Sequence, residues 1–155
     1  MSTSPVAIRR ASPDDVRALG RLGALLVRAH HAFDPQRFIA PTPDTEEGYG
    51  DFLGTQLDDP DVLLYVATTE SDGVIGYLYA GMEGPDWMSL RGPAGVLHDM
   101  VVDPAHRGRG TGRLLLETAL AEFDARGAPM TVLWTAARNE AAQRLFARMG
   151  FRPTM

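Results

Sequence analysis

No cysteine occurs among the 155 residues. That excludes disulfides, a cysteine nucleophile and thiolate metal sites, and it fits a reducing cytoplasm, which is the expected location. No apolar run is long enough for a transmembrane helix, so no membrane partner is expected. The first ten residues lack a basic segment followed by an apolar one, so they do not read as a secretory signal. Basic residues are outnumbered, 15 against 20 acidic, for a formal charge of −5. A nucleic-acid binder would normally carry a basic face, so nucleic acid is not expected as a partner. Internal repeats and low-complexity tracts are also absent. What remains is ordinary: 45% hydrophobic and 23% charged residues suit one soluble domain over residues 1–155.

The arginines are uneven. Arg107, Arg109 and Arg113 cluster tightly, with Arg126, Arg138, Arg144 and Arg148 farther on. A local positive patch on an acidic protein suits a small anionic ligand better than a polymer.

Val6 and Ile8 alternate with Ala7 and Arg9, as in a short strand. Ser12-Pro13-Asp14-Asp15 reads as a helix start, with a capping serine, an N1 proline and acids at the positive end of the dipole. Val16, Leu19, Leu22 and Leu26 carry the apolar stripe to about His30. Residues 33–41 read as loop, and a second helix is predicted from the Thr42-Pro43-Asp44 signal to about Leu57. Two strands, 61–69 and 74–82, flank an Asp72-Gly73 turn that favours a hairpin. The prolines and glycines of 83–94 predict a long loop, and 96–103 a strand ended by Pro104. Leu116, Ala119, Leu120 and Phe123 mark a helix stopping near Gly127. A strand over 130–135 and a helix through Ala142, Leu145, Phe146 and Met149 to Gly150 follow. Residues 151–155 are barely long enough for a strand. The order β-α-α-β-β-β-α-β-α-β predicts an α+β fold with a mixed central sheet flanked by helices.

Between the third-last strand and its helix lies Arg107-Gly108-Arg109-Gly110-Thr111-Gly112. Successive glycines let backbone N–H groups approach a ligand, and the helix dipole adds to them, so the turn can hold a pyrophosphate. The arginines supply charge at its rim. A Walker A lysine is absent, and the glycine spacing is not Gly-x-Gly-x-x-Gly.

Arg107-x-x-Gly110-x-Gly112, preceded by Val101-Val102-Asp103-Pro104 and followed by Arg113-Leu114-Leu115, resembles the Arg/Gln-x-x-Gly-x-Gly/Ala motif of the GNAT superfamily of N-acetyltransferases. Asn139-x-x-Ala142-x-x-x-Phe146-x-x-x-Gly150-Phe151 is similar to that family's second signature. The resemblance implies an acetyl-CoA-dependent transfer to a primary amine of a small molecule or peptide. It also implies a splay between the fourth and fifth strands that takes acetyl-CoA as co-substrate, with no metal. It places the pantetheine along Val101 and Val102, and the thioester carbonyl at the Met100 N–H. The pyrophosphate falls on Arg107, Gly108, Arg109, Gly110, Thr111 and Gly112. Asn139 matches a residue that often bonds the pantetheine, although a helix N-cap is an equally natural role for it.

The attacking amine must be neutral, so a base must take a proton. His98 is the candidate. It matches a histidine of aminoglycoside and serotonin N-acetyltransferases, and alternation puts it on one face with Val96, Met100 and Val102, with Asp99 opposite. A structural strand histidine is the alternative for His98. Glu83 and Asp86 are alternative bases. Phe146 stands where many relatives carry a proton-donating tyrosine, so Tyr77, Tyr79 or water must substitute, or the thiolate leaves unaided. The family's last strand is expected to be short, truncated, or completed by another subunit, and a homodimer is among the expected assemblies.

His30, His31 and Asp34 lack a convincing third metal ligand and read as a helix-end surface group. Trp87 either lines the acceptor pocket or covers apolar surface. Phe33, Arg37, Phe38 and Tyr49 fall where such a fold builds its acceptor site. A non-catalytic acyl-CoA-binding module is the competing reading, favoured by Phe146. A nucleotide-phosphate enzyme is a third, and it would prefer ATP or NAD to CoA.

Overall fold

The computed structural model describes residues 4–154. Five strands form one sheet: β1 (Ala7–Arg10), β2 (Val62–Thr69), β3 (Gly73–Glu83), β4 (Ala94–Val102) and β5 (Thr131–Leu133). They lie side by side in chain order; the first three pairings are antiparallel and β4–β5 is parallel. Four helices accompany them: α1 (Val16–Phe33), α2 (Thr45–Thr55), α3 (Thr111–Ala125) and α4 (Glu140–Arg148). Helix α3 is the crossover that makes β5 parallel to β4, as a helix between parallel strands must be.

The helices divide between the two faces. Leu115, Leu116, Ala119 and Phe123 of α3 and Phe146 of α4 pack on Leu63, Leu78, Ala80 and Leu97. Leu19 and Leu22 of α1 and Leu53 of α2 pack on Leu64, Val66, Tyr77 and Val101. The α1–α2 contact is unusually close. A Cβ on Gly20 would collide with the Glu46 carbonyl, and one on Gly23 with the Tyr49 ring. These bare helix positions let Tyr49 lie flat on α1 and reach the sheet.

Several predicted boundaries shift. Helix α1 continues past His30 to Phe33. Helix α2 begins at Thr45 rather than at Thr42, because the Thr45 hydroxyl takes the Thr42 N–H and Thr42 to Asp44 form a turn ahead of it. Strand β4 starts at Ala94, and β5 keeps only Thr131, Val132 and Leu133 of the predicted 130–135. Among the described residues the tail after Phe151 forms no strand. Pro153 cannot donate to a ladder, which removes one of the few N–H groups that segment could offer.

Candidate active site

Strand β5 follows β4 for three residue pairs, ending at Leu97–Leu133, and then departs. The rest of β4 therefore has an open side. The Asp103 N–H donates to the Ile75 carbonyl on β3 at 2.7 Å. Alternation then turns the backbone groups of Val101 to β3, and those of Met100 and Val102 to the gap. Of the two valines expected beside a ligand, only Val102 offers its backbone there. Its carbonyl accepts from Arg107 Nε at 3.1 Å, which ties the glycine-rich turn to the strand end.

The turn itself is built for close approach. Gly108 and Gly110 have φ of 78° and 80°, a region that side chains avoid. Gly110 is the N-cap of α3, and the first-turn N–H groups beyond it have no helical carbonyl to bond. Thr111 is 2% exposed, and its hydroxyl has no hydrogen-bond partner. A buried, unsatisfied hydroxyl costs about 1–3 kcal/mol, so this one suits a site that a ligand completes. Arg113 is held by Glu117 at 2.8 Å, one turn along α3. Gly112 faces Leu145, Met100 and Val102 at 3.7 to 3.8 Å, so the helix start, β4 and α4 meet there.

A cavity of about 270 Å³ opens from the splay toward α1. The β4 residues Leu97 to Met100, the end of β5 and α4 form one wall. Leu26, Val27 and His30 of α1, with Phe38 and Ile39 of the following loop, form the other. Asn139 and Phe146 both border it. The Asn139 side chain accepts from the Ala142 N–H at 3.2 Å, so its capping role is realised. Phe146 is buried against Phe151, with ring centroids 5.8 Å apart.

The face expected for His98, shared with Met100 and Val102, needs correction. Between Tyr79 and Ala80 of β3 the partner register jumps from Asp99 to Leu97, so His98 is the extra residue of a β-bulge. Leu97, Met100 and Val102 consequently share the α3 face, whereas Val96 and His98 keep to the α1–α2 face. His98 stacks on Tyr79 at 5.1 Å, and its Nε2 meets Glu83 Oε2 at 2.6 Å. At 37% side-chain exposure it sits on the rim. Glu83 does not line the cavity but is the partner of His98 at its rim, while Asp86 holds the N–H of Met88 in the outer loop.

Asp99 keeps the alternation of the residues after it and lies on the α1–α2 face with Val101, so the bulge puts His98 on the same face as Asp99, where the sequence placed the two on opposite faces. The Asp99 Oδ2 accepts from the Tyr49 hydroxyl at 2.5 Å and from the Tyr77 hydroxyl at 3.1 Å. Burial raises the Asp99 carboxyl above the ordinary aspartate range, against the pull of the two hydroxyls. Burial and the Asp99 charge push both tyrosines up, so they remain donors. Tyr77 is committed to Asp99, and the Tyr79 hydroxyl donates to Gln56 at 3.2 Å, so both proposed substitutes for the missing acid already have partners.

Trp87 is 79% exposed and borders neither this cavity nor the core. Trp134, 64% exposed at the end of β5, does border the cavity and was missed. His30, expected to be part of a helix-end surface group, borders the cavity as well. It lies one turn beyond Leu26 on the apolar stripe, a spacing that could have revealed it. His31 bonds the Phe38 carbonyl at 3.0 Å, and among the described residues no cluster of three acids or histidines could hold a metal.

A splayed sheet, an anion-suited turn and a cavity lined by a half-buried carboxylate define an acetyltransferase-type architecture. The chain belongs to the acetyltransferase (GNAT) family, whose pattern it matches over residues 26–151. A mycothiol acetyltransferase from Nocardioides sp. is 31% identical over 99 residues, covering 60% of this chain and 34% of that protein. The chain spans about a third of the length of such curated relatives. A tetramutant of the BH1408 protein from Bacillus halodurans has the same fold, with a TM-score of 0.84 at 20% identity over 96% of this chain and 95% of that one. A GCN5-related N-acetyltransferase from Ralstonia eutropha gives 0.73 at 25% identity, over 97% and 95%.

Proposed function

We propose that the protein transfers the acetyl group of acetyl-CoA to a primary amine of a small molecule or peptide by direct attack. The observation that carries this is a cavity that reaches Met100 on the open side of β4, with the α3 N-terminus packed beside Met100 and Val102 at Gly112. Family membership supports the co-substrate. The turn from Arg107 to Gly112, with the Thr111 hydroxyl, would take the pyrophosphate. The Val102 backbone would meet the pantetheine, with Asn139 and Phe146 across the gap. The Met100 N–H faces the gap at the level of the cavity, where it would polarise the thioester carbonyl as an oxyanion donor.

The amine nitrogen must lose a proton before it can attack, and two histidines, His98 and His30, line the cavity. The negative charge of Asp99 favours a cationic amine arriving from water. Without a tyrosine at 146, the sulfur leaves as thiolate and takes its proton from the amide-forming nitrogen through solvent.

The test is thiol release from acetyl-CoA over a panel of amines, beside a thermal-shift comparison of CoA, ATP and NAD. Stabilisation by CoA with amine-dependent thiol release is expected. The presence of Phe146 favours one other reading, a non-catalytic acyl-CoA sensor, which predicts stabilisation without turnover. Preferential stabilisation by ATP or NAD would refute both.

A further inference from the structure

The geometry points to His30, rather than His98, as the base that deprotonates the acceptor amine. This rests on the acetyl-transfer reading and assigns its proton-taking group. Two nitrogens distinguish the residues. His30 Nδ1 lies 2.9 Å from the Leu26 carbonyl, one turn back in α1. A carbonyl can only accept, so Nδ1 carries the hydrogen, and neutral His30 holds its lone pair on Nε2. Nε2 is the nitrogen farthest from the backbone, and the residue borders the cavity. In His98 the reverse holds: the distal Nε2 is taken by Glu83 at 2.6 Å, and the ring lies against Tyr79 on the rim.

The His30 ring is also fixed. Phe33 and Phe38 meet it edge-on, with centroids 5.7 and 5.0 Å away. A clamped imidazole with an assigned tautomer is what a base in a small cavity requires. The charged and titratable groups around it come from every neighbouring element. Asp99 and His98 face it from β4, and Tyr49 of α2 holds Asp99. Arg37 lies 4.8 Å over the Phe38 ring, His31 bonds the Phe38 carbonyl, and Arg138 bonds the Phe33 carbonyl at 2.6 Å.

The step balances as follows. The acceptor arrives as an ammonium drawn to Asp99, and one proton passes to His30 Nε2. The freed lone pair forms the C–N bond at the thioester carbonyl carbon. The C–S bond then breaks with its electron pair on sulfur. A second nitrogen proton reaches the thiolate through water, and His30 returns its own proton to solvent. The products are the amide, CoA as a thiol and one released proton.

The experiment compares His30→Asn, His30→Ala and His98→Asn with the wild type. The asparagine at 30 keeps an N–H for the Leu26 carbonyl and deletes the distal nitrogen. We expect kcat/KM to fall about 100-fold or more in both His30 variants. The acid limb of the kcat/KM profile against pH should vanish, while CoA still raises the melting temperature as in the wild type. Added imidazole should restore part of the His30→Ala rate. His98→Asn should lose less and keep the acid limb. An acid limb that survives in His30→Asn but vanishes in His98→Asn overturns the assignment and leaves acetyl transfer standing. No thiol release from any of the four proteins, with CoA bound, overturns both.

Discussion

Replacing Gly110 separates two consequences of its geometry. Its φ of 80° is left-handed, and an added Cβ would meet nothing within 4 Å. Any side chain therefore has room, and it costs backbone strain rather than a clash. That strain is about 1–2 kcal/mol, and in a protein of this size each kcal/mol lowers the melting temperature by about 2–4 °C. Gly110→Gln and Gly110→Glu should share this loss, because they share the backbone and nearly share a shape. They differ in charge. A carboxylate about 4 Å from a unit charge in water is repelled by about 1 kcal/mol, so against the two charges of a pyrophosphate Gly110→Glu should lose a further ~2 kcal/mol. Calorimetric titration with CoA should then show an affinity about 30-fold weaker for the glutamate variant than for the glutamine variant. Both should bind more weakly than the wild type, since either side chain fills the ligand's place. Equal melting losses combined with wild-type CoA affinity in Gly110→Glu would refute the placement of the pyrophosphate at this turn.

The buried carboxylate gives a prediction about pH. The folded protein holds the Asp99 proton more tightly than the unfolded chain does. The Asp99 contribution to stability is thus most favourable below the ordinary aspartate range and falls as pH rises to the raised folded value. Above that value the ionised group is a net cost. Asp99→Asn keeps an acceptor oxygen for Tyr49 and Tyr77 and should melt a few degrees higher at neutral pH, with a flatter profile on the acid side. A lower melting temperature at neutral pH would count against a desolvated carboxylate there. Gly23→Ala should push the Tyr49 ring off α1 and cost about 1–3 kcal/mol in denaturant unfolding, as overpacking of close contacts does. An unchanged midpoint would show that α1 and α2 can part without penalty.

Most of the fold was legible because its signals are local. The Val16-to-Leu26 stripe made α1, the Asp72-Gly73 pair made the β2–β3 hairpin, and Pro104 ended β4. The paired motifs at Arg107–Gly112 and Asn139–Phe151 identified the family. What failed depends on partners far away in the chain. The length of β5 is set by where β4 stops accepting it, after Leu97, and no residue of β5 records that point. Helix α2 starts late because Thr42 and Thr45 close a turn ahead of it: the Thr45 hydroxyl takes the Thr42 N–H, and the Thr42 hydroxyl takes the Asp44 N–H.

The site turned on a single inserted residue. Alternation along β4 is a sound rule until a bulge resets it, and nothing in Leu97-His98-Asp99 announces one. An unbulged strand would send His98 to the α3 side with Met100 and Val102. The bulge sends it to the α1–α2 side, where Glu83 captures its distal nitrogen at 2.6 Å. Asp99 and Met100 keep the regular alternation of the strand, which sets Asp99 beside Tyr49 and Tyr77 and the Met100 N–H in the gap. His98 thereby stands at the rim of the cavity, and His30 of α1, its Nδ1 held at the Leu26 carbonyl, borders the same cavity from the other wall. The close α1–α2 packing at Gly20 and Gly23 and the bulge in β4 are then parts of one arrangement. The packing brings Tyr49 onto Asp99, the bulge brings His98 to the same face, and both Asp99 and His98 line the cavity.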